Sequence, residues 1–363
     1  MFLCGDVMTG RGIDQILPTP SDPRLYERSA RSALEYVQLA ERRWGPLPRQ
    51  VGAEYIWGAA LELLSQAGTD VRVANLETAV TQSTDAATAK EIHYRMHPSN
   101  IECLRSAGLD CCVLANNHVL DWGPVGLQET LHTLHAAGIL TAGAGRGMCA
   151  AAEPATIAQR DGSRVLVYGV ALPSSGVPAA WRAQHRRFGV NWLADESRLS
   201  AAHLRRRIDS TRGAADRVIV SIHWGGNWGY AVSRAERAFA HWLIDEAAVD
   251  LVHGHSSHHP RGVEIYHDRL ILYGCGDFIN DYEGIGGYEQ FRPELAVMYL
   301  PRLDATTGRL QQLHLVPLQR RRFRLEAAEE TQIAWLCHTL DRESRVYGAH
   351  VRLHSETTLS VEW

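Results

Sequence analysis

Residues 111–126 read CCVLANNHVLDWGPVG. An apolar run, 111–115, breaks directly into Asn116, Asn117 and His118. Apolar residues then return at helical spacing, with Leu127, Leu131 and Leu134 on one face of a pattern over 126–137. A short Val/Leu-rich run, a polar turn and an amphipathic helix together form the repeating unit of an α/β sheet whose strands are buried on both faces. The unit recurs outward in both directions. Runs at 2–4, 71–74, 165–170, 218–222, 251–253 and 270–273 lead into GD, NLET, ALPSSG, HWGG, GHSSHH and GCGDFIND. A second helical pattern at 235–247 carries Phe239, Trp242, Leu243 and Ile244. The spacing therefore predicts an α/β fold.

Two stretches depart from this pattern. Segment 18–64 opens with prolines and carries helical patterns over 26–44 and 54–64, so it reads as a helical insertion after the first strand. It follows the first polar turn directly and is expected to cover that rim, with most of its aromatic residues packing on the sheet. The tail from 326 reads as a helix over 327–341 and then an exposed strand ending at Trp363. The expected organisation is one domain over 1–325, with 326–363 as an extension packed on it. Arg320, Arg321, Arg322 and Arg324 read as a solvated edge.

Composition narrows the function. The 363 residues carry 37 Lys plus Arg and 41 Asp plus Glu, a net charge of −4, so bulk electrostatics gives no case for nucleic acid. Lys90 is the sole lysine, which excludes a GxxxxGK[ST] phosphate loop and leaves one candidate for Schiff-base chemistry. The 7 cysteines form no CxxC pair and mostly sit in apolar runs, where a reduced buried thiol is expected. The start MFLCGDVMTGRG lacks the basic opening of a signal peptide. The uncharged stretch 165–181 is broken by Pro173 and Pro178, so no membrane span and a cytoplasmic location are expected.

The polar residues that follow the runs fall at the C-terminal ends of strands, the rim where open α/β sheets bind ligands. Asp6, Asn75, Glu77, Asn116, Asn117, His118, Asp121, His223, His255, His258 and Asp277 share that edge. Carboxylate, amide oxygen and imidazole together suit first-row divalent ions rather than calcium. A bridging carboxylate can assemble a two-metal clamp that activates water, and a nearby His can serve as general acid.

GDVMTGR, ANLETAV, LANNHVLDWG, SIHWGGNWGY, HGHSSHHP and YGCGDFIND occur here in the order found in CapA-type capsule and poly-γ-glutamate synthesis proteins. The chain thus resembles a branch of the calcineurin-like metallophosphoesterase superfamily, from Met1 to about Asp281. The resemblance implies a four-layer α/β/β/α sandwich with metal at the strand ends. It implies Asp6, Glu77, Asn117, His223, His255 and His258 as metal ligands, Glu77 as a bridging candidate, and His118 as the catalytic acid. The chain departs from the superfamily pattern at three places. Met8 stands where Asp-x-His has its His, Ser256 and Ser257 replace the middle of His-His-Pro-His, and Asp277 replaces the Asn of Gly-Asn-Phe.

Asp121, three residues after His118, either orients that ring or caps the helix over 126–137. Arg11 suits an anionic substrate or a surface salt bridge. Asn116 and Asp277 complete the expected substrate contacts, Asp277 also being able to add a ligand. Trp224, Trp228 and Tyr230 either wall the site or pack as core. The expected protein is a hydrolase using one or two manganese, iron or zinc ions on a phosphoester, amide or thioester of a small anionic or acyl substrate. The alternative is a soluble factor in capsule or poly-γ-glutamate polymer biosynthesis, either an enzyme of polymer handling or a non-catalytic accessory subunit.

Overall fold

The computed structural model describes residues 1–88 and 90–363. Along the strand Arg164–Ala171, Val165, Val167 and Ala171 enter one buried apolar cluster, and Leu166, Tyr168 and Val170 enter another. Successive side chains of a strand point to opposite faces, so a strand covered on both sides needs apolar residues throughout. The neighbouring strands divide the same way. Ile219 and Leu251 join the first cluster, Val218, Val220 and Val252 the second. Leu204 and Ile208 of the helix Arg198–Thr211, with Phe239 and Leu243 of the helix Arg234–Ala247, complete the second cluster. The first cluster fills the space between two sheets and, since it takes in the successive residues Leu3 and Cys4 as well as Val73 of the other sheet, continues onto that sheet's far face.

Among the described residues the smaller sheet has 6 strands. Arg164–Ala171, Arg217–His223, Leu251–His255 and Arg269–Leu272 run parallel, with antiparallel edges at Ala155–Ala158 and Val263–Tyr266. The larger sheet has 10 strands among those residues. Phe2–Val7, Arg72–Leu76, Cys111–Val113 and Leu140–Ala142 run parallel. Beyond Phe2–Val7 the sheet turns antiparallel through Leu295–Leu303, Leu310–Arg321, Thr358–Glu362 and His350–Ser355. Helices Ala59–Ala67 and Gly123–Ala136 pack on this sheet. The result is the four-layer α/β/β/α sandwich that the family resemblance implies, with the C-terminal ends of the parallel strands of both sheets at one rim.

Insertion 18–64 has two halves with different jobs. Its first helix is Ala33–Trp44 and starts later than the periodicity suggests, because Ser32 and Glu35 form a reciprocal capping box there. This half reaches the rim through Glu27, Arg28, Ser29 and Tyr36. The second half leads into the helix Ala59–Ala67 through Gly58, whose φ is +45° and where a Cβ would lie 2.1 Å from the Leu325 carbonyl oxygen. Ile56, Trp57, Ala60 and Leu64 lie in the main core. The expectation that the whole segment covers the rim is thus corrected: its second half is core. Trp57 is fully buried, packs at a tilt against Phe278 and donates Nε1–H to the Cys103 carbonyl at 2.5 Å. Trp57→Ala should cost about 3–5 kcal/mol of stability by urea unfolding, the usual range for a buried Trp.

The C-terminal tail also differs from its sequence reading. Helix Glu330–Arg345 is followed by the hairpin His350–Ser355 and Thr358–Glu362, which extends the larger sheet, rather than by one exposed strand. The tight turn at Glu356 and Thr357 lacks the Asn-Gly type of signal that marks a hairpin in sequence. Residue 326 lies inside the strand Arg324–Ala327, which pairs with Leu310–Arg321. Among the described residues no helix is long and apolar enough to cross a membrane.

Candidate metal centre

The centre begins with Gly5. A Cβ there would lie 1.8 Å from the Gly276 carbonyl oxygen, so only glycine lets strand Asp277–Ile279 lie against Phe2–Val7. Parallel pairing then sets Asp6 beside Asp277. The strands Arg217–His223 and Leu251–His255, in register, bring His223 beside His255. Two sets of converging ligand atoms result, Asp6 with His223 and His255, and Asp6 with His258 and Asp277, each within 4.8 Å. Asp6 is shared.

The donor set fits divalent metal on its own chemistry. Asp6 Oδ2 and Glu77 Oε2 are buried without a hydrogen-bond partner, which is costly for carboxylate oxygens. Burial, and then the neighbouring Asp277, push the Asp6 carboxyl up to about 7. Burial and Asp6 hold Glu77 well above the usual carboxylate range. A cation among these oxygens would relieve both effects. Burial alone would lower His258, but Asp277 Oδ1 at 2.9 Å outweighs it and holds the imidazole above its ordinary value. Burial drives His223 and His255 well below theirs, leaving neutral rings with lone pairs for a metal.

A relay orients His255. His255 Nε2 lies 2.9 Å from Ser221 Oγ, Ser221 Oγ lies 3.0 Å from His253 Nδ1, and His253 Nε2 lies 2.9 Å from the Cys4 carbonyl of the other sheet. That carbonyl only accepts, so His253 donates from Nε2 and accepts at Nδ1. Ser221 then donates to His253 and accepts from His255 Nε2–H. The lone pair of His255 is left on Nδ1, which faces His223 Nδ1 at 2.8 Å and Asp6 Oδ1 at 3.9 Å. Ser221→Ala breaks the relay without touching a ligand. It should weaken metal affinity by about 10–100-fold, as measured by competition with a chelator.

His118 stands beside the clustered ligands. Its Nε2 is 3.7 Å from Glu77 Oε1, and its ring packs on Tyr94 with centroids 4.2 Å apart. Its Nδ1 lies 2.7 Å from Asp121 Oδ2. Asp121 therefore acts on His118 and not as a helix cap: helix Gly123–Ala136 starts after Trp122 with no side-chain cap. Asp121 also accepts from Lys90 Nζ at 2.6 Å and from the Tyr94 backbone N–H at 2.7 Å, and His118 and Lys90 keep its carboxyl below the usual range against the effect of burial. Burial pulls His118 down to about 3. Asn117 Oδ1 lies 3.1 Å from His223 Nε2, and Glu77 Oε1 3.8 Å from the same nitrogen, so both border the first ligand set.

Three expected substrate contacts take other places. Asn116 is fully buried; its amide donates to Asn75 Oδ1 and the Leu76 carbonyl, and its oxygen accepts from the His118 and Val119 N–H groups. It shapes the turn and has nothing left for a substrate. Arg11 is buried, with Nε and Nη2 on Asp281 and Nη1 on Glu27, so its fork is already filled by carboxylates although it borders the cleft. Asp277 joins the second ligand set instead of a substrate position, and Asn280 Nδ2 donates to its other oxygen at 2.6 Å. Of the aromatic trio only Trp228 lines the cleft, while Trp224 is buried against Tyr273 and Phe239.

Lys90, the sole lysine, is a partner of Asp121 and Asn117 that no motif marks in the sequence. Arg320 differs from its sequence expectation. That residue is buried, not solvated, and donates to the Asp277 and Pro293 carbonyls, so the strand carrying Arg320 buttresses the second ligand set.

The sequence pattern of the family described as "Bacterial capsule synthesis protein PGA_cap" matches residues 1–282. The chain belongs to the PGA_cap family. The PGA_cap match takes in both ligand sets, His118 and Asp121, and ends before helix Glu330–Arg345 and the terminal hairpin. A relative in Mycobacterium tuberculosis, named "Probable polyglutamine synthesis accessory protein", is 46% identical over 362 residues, 99% of this chain and 95% of that protein. The "PGA biosynthesis protein CapA" of Bacillus subtilis is 24% identical over 308 residues, 85% of this chain and 68% of that protein. A solved phosphatase from Mycoplasma pneumoniae is 14% identical, covers 73% of this chain and 87% of that one, and superposes with a TM-score of 0.44.

Proposed function

We propose that this PGA_cap protein is a metal-dependent hydrolase acting on a phosphoester, amide or thioester bond of a small anionic substrate. The observation that carries the reading is the pair of ligand sets sharing Asp6, with unpartnered buried oxygens on Asp6 and Glu77, at the floor of an open cleft. Asp6, His223 and His255 would hold one ion, with Asn117 and Glu77 beside them. Asp6, His258 and Asp277 would hold a second. Manganese, iron and zinc suit this mixture of imidazole, carboxylate and amide oxygen. Such ions supply Lewis acidity, lowering the pKa of a coordinated water and polarising the bond to be cut.

The chain's own residues would do the rest. The inner cleft, about 270 Å³, would seat a substrate between Asn117, His118 and His258. His118, whose Nδ1 is held by Asp121 and whose ring packs on Tyr94, presents Nε2 to the cleft to take up and return a proton at the reacting group. The Lys90 ammonium keeps Asp121 ionised and ties the Asn117 carbonyl, so both residues of that turn hold their place.

Elemental analysis after loading with each of the three metals, followed by a panel of phosphoester, amide and thioester substrates, tests the reading. One or two ions per chain and chelator-sensitive turnover on one bond class are expected. A chain that takes up none of the three metals would overturn it. The name of the Mycobacterium tuberculosis relative, an accessory protein of polyglutamine synthesis, supports a second reading, in which this chain is a non-catalytic accessory factor in polymer synthesis. That reading predicts metal uptake with no turnover on any class.

A further inference from the structure

The inner cleft opens into a second chamber of about 400 Å³, and the two share Glu91, Ile92, Asn227, His258 and Tyr282. Their linings differ in kind. The inner one is polar and adjoins the clustered ligands. The outer one has an apolar surface: Trp228 and Tyr288 stack face to face with centroids 4.0 Å apart and planes 7° apart, and Tyr36 and Ile92 line the same space. Ile92 is 41% exposed and Tyr288 39% exposed, a solvated apolar rim of the kind that marks a ligand site.

The basic groups of the outer chamber already face carboxylates. Arg11 is bound to Glu27 and Asp281, and Arg28 meets Glu91 at 2.7 Å on the rim. Among the described residues of this lining Arg11 is held by buried carboxylates, His258 by Asp277, and Arg28 lies out on the exposed rim, so the chamber offers a repeating polyanion little charge compensation. An apolar or aromatic group would instead bury its faces against Tyr288, Trp228 and Ile92.

We propose that the outer chamber is a binding site for an apolar or aromatic body, and that the substrate carries a single anionic reacting group at its inner end. The assignment rests on the hydrolase reading for what happens at the inner end, but the chamber itself can be tested without turnover. Benzylphosphonate, methylphosphonate and tri-γ-glutamate are titrated into the zinc-loaded protein, followed by calorimetry. Benzylphosphonate should bind about 10–100-fold more tightly than methylphosphonate, the gain expected from burying one aromatic ring. Tri-γ-glutamate should bind more weakly than benzylphosphonate.

Tyr288→Ala should remove most of that gain while leaving methylphosphonate affinity unchanged. Ile92→Ser, at an exposed position that leaves the core intact and adds no charge beside the inner cleft, should also shrink the gain of benzylphosphonate over methylphosphonate and guards against a folding defect in the first variant. Equal affinities for the two phosphonates within about threefold, a gain that survives both substitutions, or tightest binding of tri-γ-glutamate would each overturn the assignment. If no substrate is ever turned over but the aryl preference and its loss in the variants are seen, the hydrolase reading fails and the chamber stands.

Discussion

Asp6→Asn is expected to leave the protein without bound metal and, at the same time, to make the metal-free protein harder to unfold. Asp6 is the one residue common to both ligand sets, so a single substitution weakens both. Without metal its carboxylate is a liability: it is fully buried beside Asp277, and Oδ2 has no partner. An amide keeps the oxygen that accepts from Asn75 Nδ2 at 2.7 Å and adds two donors among neighbouring carboxylate oxygens. Relief of an unsatisfied buried group is worth about 1–3 kcal/mol. Urea unfolding in a chelator should therefore show Asp6→Asn more stable than wild type, and elemental analysis should show no ion. Wild-type metal content in the variant would refute the shared-ligand assignment. A site that costs stability until it is filled is the usual signature of a functional cluster.

The second large effect concerns His118. His118→Asn should lower turnover by about 10²–10⁴-fold, the range for loss of a positioned acid or base. Metal content should not change, because His118 belongs to neither ligand set and its nearest approach is Nε2 to Glu77 Oε1 at 3.7 Å. Stability should change little, since Asp121 keeps Lys90 and the Tyr94 N–H as partners after the imidazole is gone. Elemental analysis beside steady-state rates separates the outcomes. Full turnover would remove His118 from the chemistry, and loss of metal would move it among the ligands.

The parts of the site that were legible share a physical cause. His223, His255, Asn117 and Asp6 stand immediately beyond or at the ends of continuous apolar runs, and a strand buried on both faces announces itself by such a run. The parts that were not legible depend on segments with no such signature. Lys90 comes from the irregular stretch between the strands Ala79–Val80 and Arg95–Met96. Arg320 looked like part of a charged edge because its neighbours are basic, yet the alternation of strand Leu310–Arg321 turns it inward onto Asp277. Arg11 and Asn116 have the right chemistry for a substrate, but their hydrogen-bonding capacity is taken by Asp281 and Glu27 and by the turn itself.

The sequence by itself determined the α/β class and the rim on which the polar residues gather, because strand periodicity and buried apolar runs are local properties of the chain. It also determined which residue types reach that rim, and so the kind of ion they suit. Only the tertiary structure decided which of them converge. The sharing of Asp6 follows from Gly5 letting a distant strand approach within contact of the first. The lone pair on His255 follows from a relay that ends on a carbonyl of the opposite sheet. The apolar outer chamber follows from Trp228 and Tyr288, 60 residues apart, meeting face to face. Each is a long-range contact, whose geometry is set by how two sheets and their loops pack and leaves no trace in local spacing.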